Sequence, residues 1–277
     1  MKTIIVPVDF SHASVNAAEY ASQMAGHMRA DKIVLYHTYG GSYQILDAGT
    51  EIIRSEINSQ LQHLSDALIP LAGNEVKFEL VAGDGFLIDE VLELVDKYNA
   101  DLIVMGITGK NAIEHKLIGS NTLRVASDST CPVLIVPSEA RFKEVKKVAL
   151  SMKFKAGILD ETPYDHIRNM VRDLNAELVI LNVADENHRV NVQNIQSGLT
   201  ATHLMFDDMN ARIEFLGEDR VVERVTDYVQ EHGIQMLISI THKLGFLESL
   251  FKGSVTKQLA FHTHVPLMVF KAIQQEE

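Results

Sequence analysis

Cysteine is almost absent: Cys131 is the only one in 277 residues. That excludes an internal disulfide framework and any multi-cysteine metal centre. Cys131 also runs into the apolar stretch Val133 to Val136, which reads as a buried thiol rather than a nucleophile. Basic residues are in deficit, 25 against 37 acidic, for a net charge of −12 and a pI near 5.4. This argues against a non-specific nucleic-acid binder, which displaces counterions with a basic face. No apolar run approaches the roughly 18 residues of a membrane helix, and MKTIIVPVDFS reaches proline and aspartate too early for a secretion signal. The sequence therefore reads as a cytoplasmic chain with no membrane partner. A Walker-type Gly-x-x-x-x-Gly-Lys-Ser/Thr, a Gly-x-Gly-x-x-Gly after the first strand and a Gly-x-Ser-x-Gly elbow are all missing. Those absences count against P-loop, dinucleotide and hydrolase chemistry.

What is there is a core-forming composition, 46% hydrophobic with 22% charged, at a length that suggests about two domains. Short apolar runs at Ile4–Val8, Lys32–Tyr36, Val76–Val81, Leu102–Met105 and Val133–Val136 alternate with helical stretches. Ser11 is placed to cap the first of these, and Ile57, Leu61, Leu64, Leu68 and Leu71 recur at helical spacing in the second. Strand and helix in alternation imply a parallel sheet with right-handed crossovers, and continuously apolar strands imply helices on both faces. The expectation is a doubly wound α/β domain over residues 1–138.

Past the polar stretch Ser138 to Lys147 the pattern restarts. KVALSMKF lies alongside KTIIVPVDF, and AELVILNV (176–183) alongside ADKIVLYH (30–37). From Gly83 on, the halves align without gaps: Gly83 on Gly217, Gly119 on Gly253, Ser120 on Ser254, Thr122 on Thr256, Pro132 on Pro266. The chain is an internal duplication, with a second α/β domain over 145–272. That second copy is shorter by about three turns in its second helical region. There, NVQNIQSGLTATHLMFDDMN lacks a clean apolar period and is expected to be partly irregular.

In an open parallel sheet, ligands sit beyond the carboxyl ends of the strands. The first strand runs into Pro7-Val8-Asp9. The fourth runs into Met105-Gly106-Ile107-Thr108-Gly109, followed by Gly119-Ser120-Asn121-Thr122 at the start of a helix. Gly106 and Gly109 are read as letting backbone approach a ligand or adopt positive φ. Ser120 and the amides around it open a helix towards an anion. Asp9 suits hydrogen bonding to a base or sugar, or Mg²⁺. Single features of this kind are commonly turn residues and helix caps; their conjunction after the correct strand points to a nucleotide.

The pattern Gly106-x2-Gly109-x9-Gly119-Ser120, with VPVDFS at the start and CPVLIVP at the end, resembles the universal stress protein family over 1–138 and, as a degenerate copy, over 145–272. The resemblance implies two tandem five-stranded parallel α/β domains and ATP as ligand, with or without Mg²⁺. It puts Pro7, Val8 and Asp9 against the adenosine and the Thr38 backbone at the base. Met105, Gly106, Gly109, Gly119, Ser120, Asn121 and Thr122 would surround ribose and phosphates. It also implies dimers formed through the fifth strands, so that the two halves pair within one chain and two chains form a homodimer. In the second half Ser151 and Lys153 replace Pro7 and Asp9. Ile240 and Lys243, or with a one-residue shift Ser239 and His242, replace the glycines, so the same ATP pose is not expected there.

The histidines, His262 and His264 included, lack matched metal-ligand spacing and read as surface or loop residues. Phe246, Leu247, Leu250 and Phe251 in GFLESLFKGS read as a lid over the second cleft or a contact surface. The functional expectation is a nucleotide-dependent switch in which ATP orders the Gly109–Gly119 loop and alters a surface read by a regulatory protein, with at most slow hydrolysis. The alternatives are a structural stress protein without nucleotide, a slow ATPase, and a binder of another small molecule in the second cleft, where Lys153 and His242 would meet an acidic group.

Overall fold

The computed structural model describes residues 2–39, 47–108, 120–183, 192–216, 220–241 and 255–273. The chain divides into two compact units, Met1–Phe142 and Lys143–Glu277. Among the described residues no helix is long and apolar enough to cross a membrane.

Unit 1 alternates β1 (Thr3–Pro7), α1 (His12–Met28), β2 (Lys32–Thr38), α2 (Asp47–Ala72), β3 (Lys77–Gly83), α3 (Leu87–Tyr98), β4 (Leu102–Ile107), α4 (Ser120–Asp128) and β5 (Val133–Pro137). Its strands lie in the order β3-β2-β1-β4-β5, and every ladder is parallel. The cause is visible in the residues. β1 and β5 are buried along their whole length, so both faces need cover, and only crossover helices supply it. Ser11 caps α1 by accepting from the Ser14 N–H at 3.3 Å. The apolar stripe of α2 is buried at Ile57, Leu61 and Leu68. Leu71, expected on that stripe, is 39% exposed, and Ala72 takes its place against the core. The polar stretch that follows β5 is tied back onto α1: the Asn16 side-chain amide donates to the carbonyls of Pro137 (3.1 Å) and Ala140 (3.0 Å), and Arg141 donates to the Asn16 side-chain oxygen Oδ1.

Unit 2 repeats the plan with β6 (Lys147–Met152), β7 (Glu177–Val183), β8 (Arg212–Leu216), β9 (Met236–Thr241) and β10 (Leu267–Lys271), in the order β8-β7-β6-β9-β10. Its helices differ. Between β6 and β7, α5 (Ile158–Glu161) and α6 (Tyr164–Asp173) stand where unit 1 has one 17-residue helix. Between β7 and β8 lies α7 (Val192–Phe206), with α8 (Val221–Glu231) and α9 (Val255–His262) following.

The segment expected to be partly irregular is thus a 15-residue helix with a single 3-10 turn, Asp207–Met209, behind it. Its inner face is Gly198, Ala201, Thr202, Met205 and Phe206, a regular helical stripe whose first three members are too small or too polar to register as apolar. Leu199 and Leu204, the residues that do register, are exposed. Gly198 is required: a Cβ there would lie 2.1 Å from Cγ of Phe154.

Candidate functional site

The chain runs β1, β2, β3 outward on one side and then crosses to β4 and β5 on the other, so the order reverses between β1 and β4. Crevices at such a reversal, beyond the carboxyl ends of the strands, are where open α/β sheets take ligands. Pro7, Val8 and Asp9 leave β1 on one side of it, Met105 and Gly106 close β4 on the other, and Thr38 ends β2. The Val8 N–H donates to the Tyr36 carbonyl at 2.8 Å, which carries the β1 ladder beyond the strand proper. The Thr38 hydroxyl donates to the Gly85 carbonyl at 2.6 Å, turning its own backbone at the mouth of the crevice.

The turn from β1 into α1 is closed by its own side chains. One Asp9 carboxylate oxygen accepts the Ser11 N–H at 3.0 Å, while the Asp9 N–H donates to the Ser14 hydroxyl at 3.2 Å. Burial pushes the Asp9 carboxyl up, but the hydrogen bonds from Ser11 and Ser14 outweigh it and hold the group below its ordinary range. Asp9 is thus an ionised, fixed acceptor. Next to it, Phe10 has φ = 60°, a left-handed conformation that bulky residues rarely adopt. Its ring lies 4.8 Å from that of His37, whose Nδ1 sits 2.7 Å from the Val8 carbonyl.

Gly106 also has a structural purpose that its motif does not suggest. It has no positive φ, and a Cβ built on it would lie 2.2 Å from the Ala13 carbonyl oxygen and 3.0 Å from the Ser14 nitrogen. Its missing side chain is the seat of the first turn of α1, which brings that turn to the rim of the crevice. The Gly106 carbonyl in turn accepts from the Thr122 hydroxyl at 2.9 Å, tying β4 to α4. Met105 and Thr122 are buried, whereas Ser120 and Asn121 are exposed on the first turn of α4. Gly109 and Gly119 lie outside the described residues. Phe10 and His37 were not singled out by motif or spacing. The one available signal was the position of His37 at the end of a buried strand.

Unit 2 shows the same place altered. β1 pairs Ile4 with Leu102, and β6 pairs Val148 with Met236, so the strand register sets Ile240 against Gly106 and decides for the ungapped alignment. The β6–β7 ladder pairs Lys147 with Glu177 where β1–β2 pairs Thr3 with Lys32. That slides β7 by one residue from its alignment in sequence and puts Asn182, not Val183, in the place of His37. An isoleucine at the Gly106 position leaves no seat for a helix turn. Here the first turns are re-laid as α5, and Thr162-Pro163 breaks the helix before α6.

The remaining substitutions follow the same course. Ser239, in the place of Met105, joins hydroxyls with Thr256 at 3.0 Å inside the unit. Phe154, in the place of Phe10, is 4% exposed: its N–H donates to the Asn182 amide oxygen at 3.0 Å, and its ring meets Phe215 edge to face. Lys153 is exposed. His242, Lys243, Gly217, Gly253, Ser254 and the apolar residues of 245–254 lie outside the described residues.

Comparison with known proteins agrees with this fold. The model of the universal stress protein family matches residues 1–137 and 209–271, more than half of the chain. A universal stress protein of Methanocaldococcus jannaschii is 32% identical over 140 residues, 49% of this chain and 81% of the relative. One from Bacillus subtilis is 27% identical over 143 residues, 48% of this chain and 97% of the relative. The crystal structure of a universal stress protein from Archaeoglobus fulgidus superposes with a TM-score of 0.74 at 19% identity, covering 97% of this chain and 98% of that one, a likeness of fold.

Proposed function

The chain belongs to the universal stress protein family, and on that premise we propose that unit 1 binds ATP and acts as a nucleotide-dependent switch, while unit 2 takes no nucleotide in that manner. The observation that carries the reading is the flanking of the β1–β4 reversal by motif residues from two separate stretches of sequence: Pro7, Val8 and Asp9 on one side, Met105 and Gly106 on the other. Thr38 adds its backbone at the end of β2, and Ser120, Asn121 and Thr122 add the first turn of α4, whose amides favour an anion. Gly109 and Gly119 complete the set in sequence.

Asp9 fits a ribose or base contact. It is ionised, and Ser11 fixes its orientation through one oxygen. A bound triphosphate would order the Gly109–Gly119 stretch and so alter a surface that a regulatory protein reads. At most slow hydrolysis is expected in this role. Unit 2 has Ile240 for Gly106, Lys153 for Asp9 and a buried Phe154, each of which works against the same pose.

Calorimetric titration of the full chain with ATP and Mg²⁺ tests the reading. One site per chain is expected, lost in Asp9→Lys, which copies unit 2 at an exposed position. Two equal sites, or an Asp9→Lys variant that binds as well as the parent, would show the assignment to be wrong.

A further inference from the structure

Each unit has an outer strand that is paired on one edge only, β3 in unit 1 and β8 in unit 2. Among the described residues no strand pairs with the outer edge of either. Such a row of unpaired N–H and C=O groups is a template for another strand, and proteins ordinarily blunt it. The duplication shows the two edges treated differently.

β3 engages its acid within its own chain. Lys77, Phe78 and Glu79 follow one another as base, apolar residue and acid, but the Glu79 carboxylate already accepts from Lys32 at 2.8 Å and from the Tyr98 hydroxyl at 2.5 Å. β8 repeats that order in Arg212, Ile213 and Glu214. Here both charged residues are exposed, and neither forms a hydrogen bond or ion pair with a described residue. They share one face of the strand, beside Tyr228 of α8. Burial raises the pKa of the Tyr228 hydroxyl, and Glu214 and Arg212 act on it in opposite directions. Phe215 takes the other face. Its ring meets Phe154 edge to face at 5.9 Å, yet it remains 52% exposed. Between them α7 and β8 carry four exposed large apolar residues, Val192, Leu199, Leu204 and Phe215. Apolar exposure concentrated in this way marks an interaction surface.

The order of residues in β8 is complementary to itself. In an antiparallel pair centred on Ile213, Arg212 lies opposite Glu214 of the second strand and Glu214 opposite Arg212, while Phe215 lies opposite the small Ala211. Opposite charges directly across an antiparallel pair favour it, and like charges oppose it. Of all two-fold registers of the strand, only this one sets each charge against its opposite.

We propose that β8 is a self-pairing edge through which two copies of this chain associate, antiparallel about a two-fold axis at Ile213. A second copy is the fitting occupant because β8 itself supplies the matching order of charges. Five residues a side make a small contact, so the dimer is a weak one. This association does not depend on the nucleotide reading.

Sedimentation velocity of the full chain from about 1 to 500 µM should show the parent passing from monomer to dimer. Arg212→Glu sets acid against acid, and Glu214→Arg sets base against base. Each should weaken the dimer by about tenfold or more. The double exchange, Arg212→Glu with Glu214→Arg, restores opposite pairs and should restore the dimer. The two single variants, mixed in equal amounts, should associate with each other although neither does so with itself, which also shows that both are folded. A parent that stays monomeric over the whole range overturns the proposal. So does a dimer that survives unchanged in both single variants, which would place the contact elsewhere on the chain. A double exchange that is folded by circular dichroism but no longer dimerises overturns it as well.

Discussion

Asp9 is exposed to two opposed influences, burial that raises its pKa and hydrogen bonds that lower it, and the hydrogen bonds win. Its folded pKa therefore lies below the ordinary value of 3.8, so the ionised group stabilises the fold at every pH above that value. The contribution fades as the pH falls through the folded pKa, because the native state then takes up the proton too. Urea unfolding of the parent and of Asp9→Asn should accordingly show a stability gap that is level from about pH 6 to 8 and closes below about pH 4. A gap that widens in acid would contradict the assignment. Cys131 is the opposite case. Burial, with a smaller push from the Asp101 carboxylate, raises its thiol to about 12, and its Sγ donates to the Ala100 carbonyl at 3.3 Å. At pH 8 iodoacetamide should modify the native chain on the order of a thousandfold more slowly than the urea-unfolded one, since the thiolate is the reactive form.

At the scale of elements, strand positions and most helices of unit 1 were legible because burial on both faces leaves unbroken apolar runs, and because Ser11 and the α2 stripe obey simple spacing rules. α7 was not, since its contact with Phe154 is made by absence of side chain. Hydrophobic periodicity weighs what a residue adds and is blind to a groove cut by Gly198, Ala201 and Thr202. This gives a prediction of unusual sign. Glycine to alanine inside a helix ordinarily gains about 1 kcal/mol. Gly198→Ala should instead lose about 1–3 kcal/mol in urea unfolding, because its Cβ meets the Phe154 ring. A stabilised Gly198→Ala chain would mean that the ring moves aside freely. The same blindness affected Gly106. Its place in a motif was plain from sequence, but not that it admits the Ala13 carbonyl, because that neighbour is 93 residues away and its approach depends on how α1 leaves β1. His37 escaped notice since its partner, the Val8 carbonyl, is backbone and leaves no trace in composition.

For the whole molecule, the proposal that unit 1 alone takes nucleotide predicts an uneven response to ligand. ATP at a hundred times its dissociation constant stabilises whatever binds it by about 2.7 kcal/mol. Differential scanning calorimetry should therefore resolve heat absorption that moves up by several degrees with ATP, assigned to Met1–Phe142, and a remainder that stays in place. Uniform movement of the entire transition with two nucleotides bound would show that both units respond. The sequence alone revealed the duplication and the loss in the second copy. The register of β6 against β9 was needed to decide that Ile240 stands in the place of Gly106.

That isoleucine also makes the two units hard to interconvert by single substitutions. With no seat for the helix turn, the chain before β7 carries α5, Pro163 and a buried Phe154, each suited to this arrangement and unsuited to that of unit 1. Ile240→Gly no longer undoes the step that Gly106→Ile would take. It removes a half-buried side chain with no helix turn at hand to fill the gap, and should cost stability without giving the second unit a nucleotide site. The two copies are unequal, and turning the second into the first calls for several substitutions together, since Ile240, Pro163 and Phe154 each fit only the arrangement they stand in.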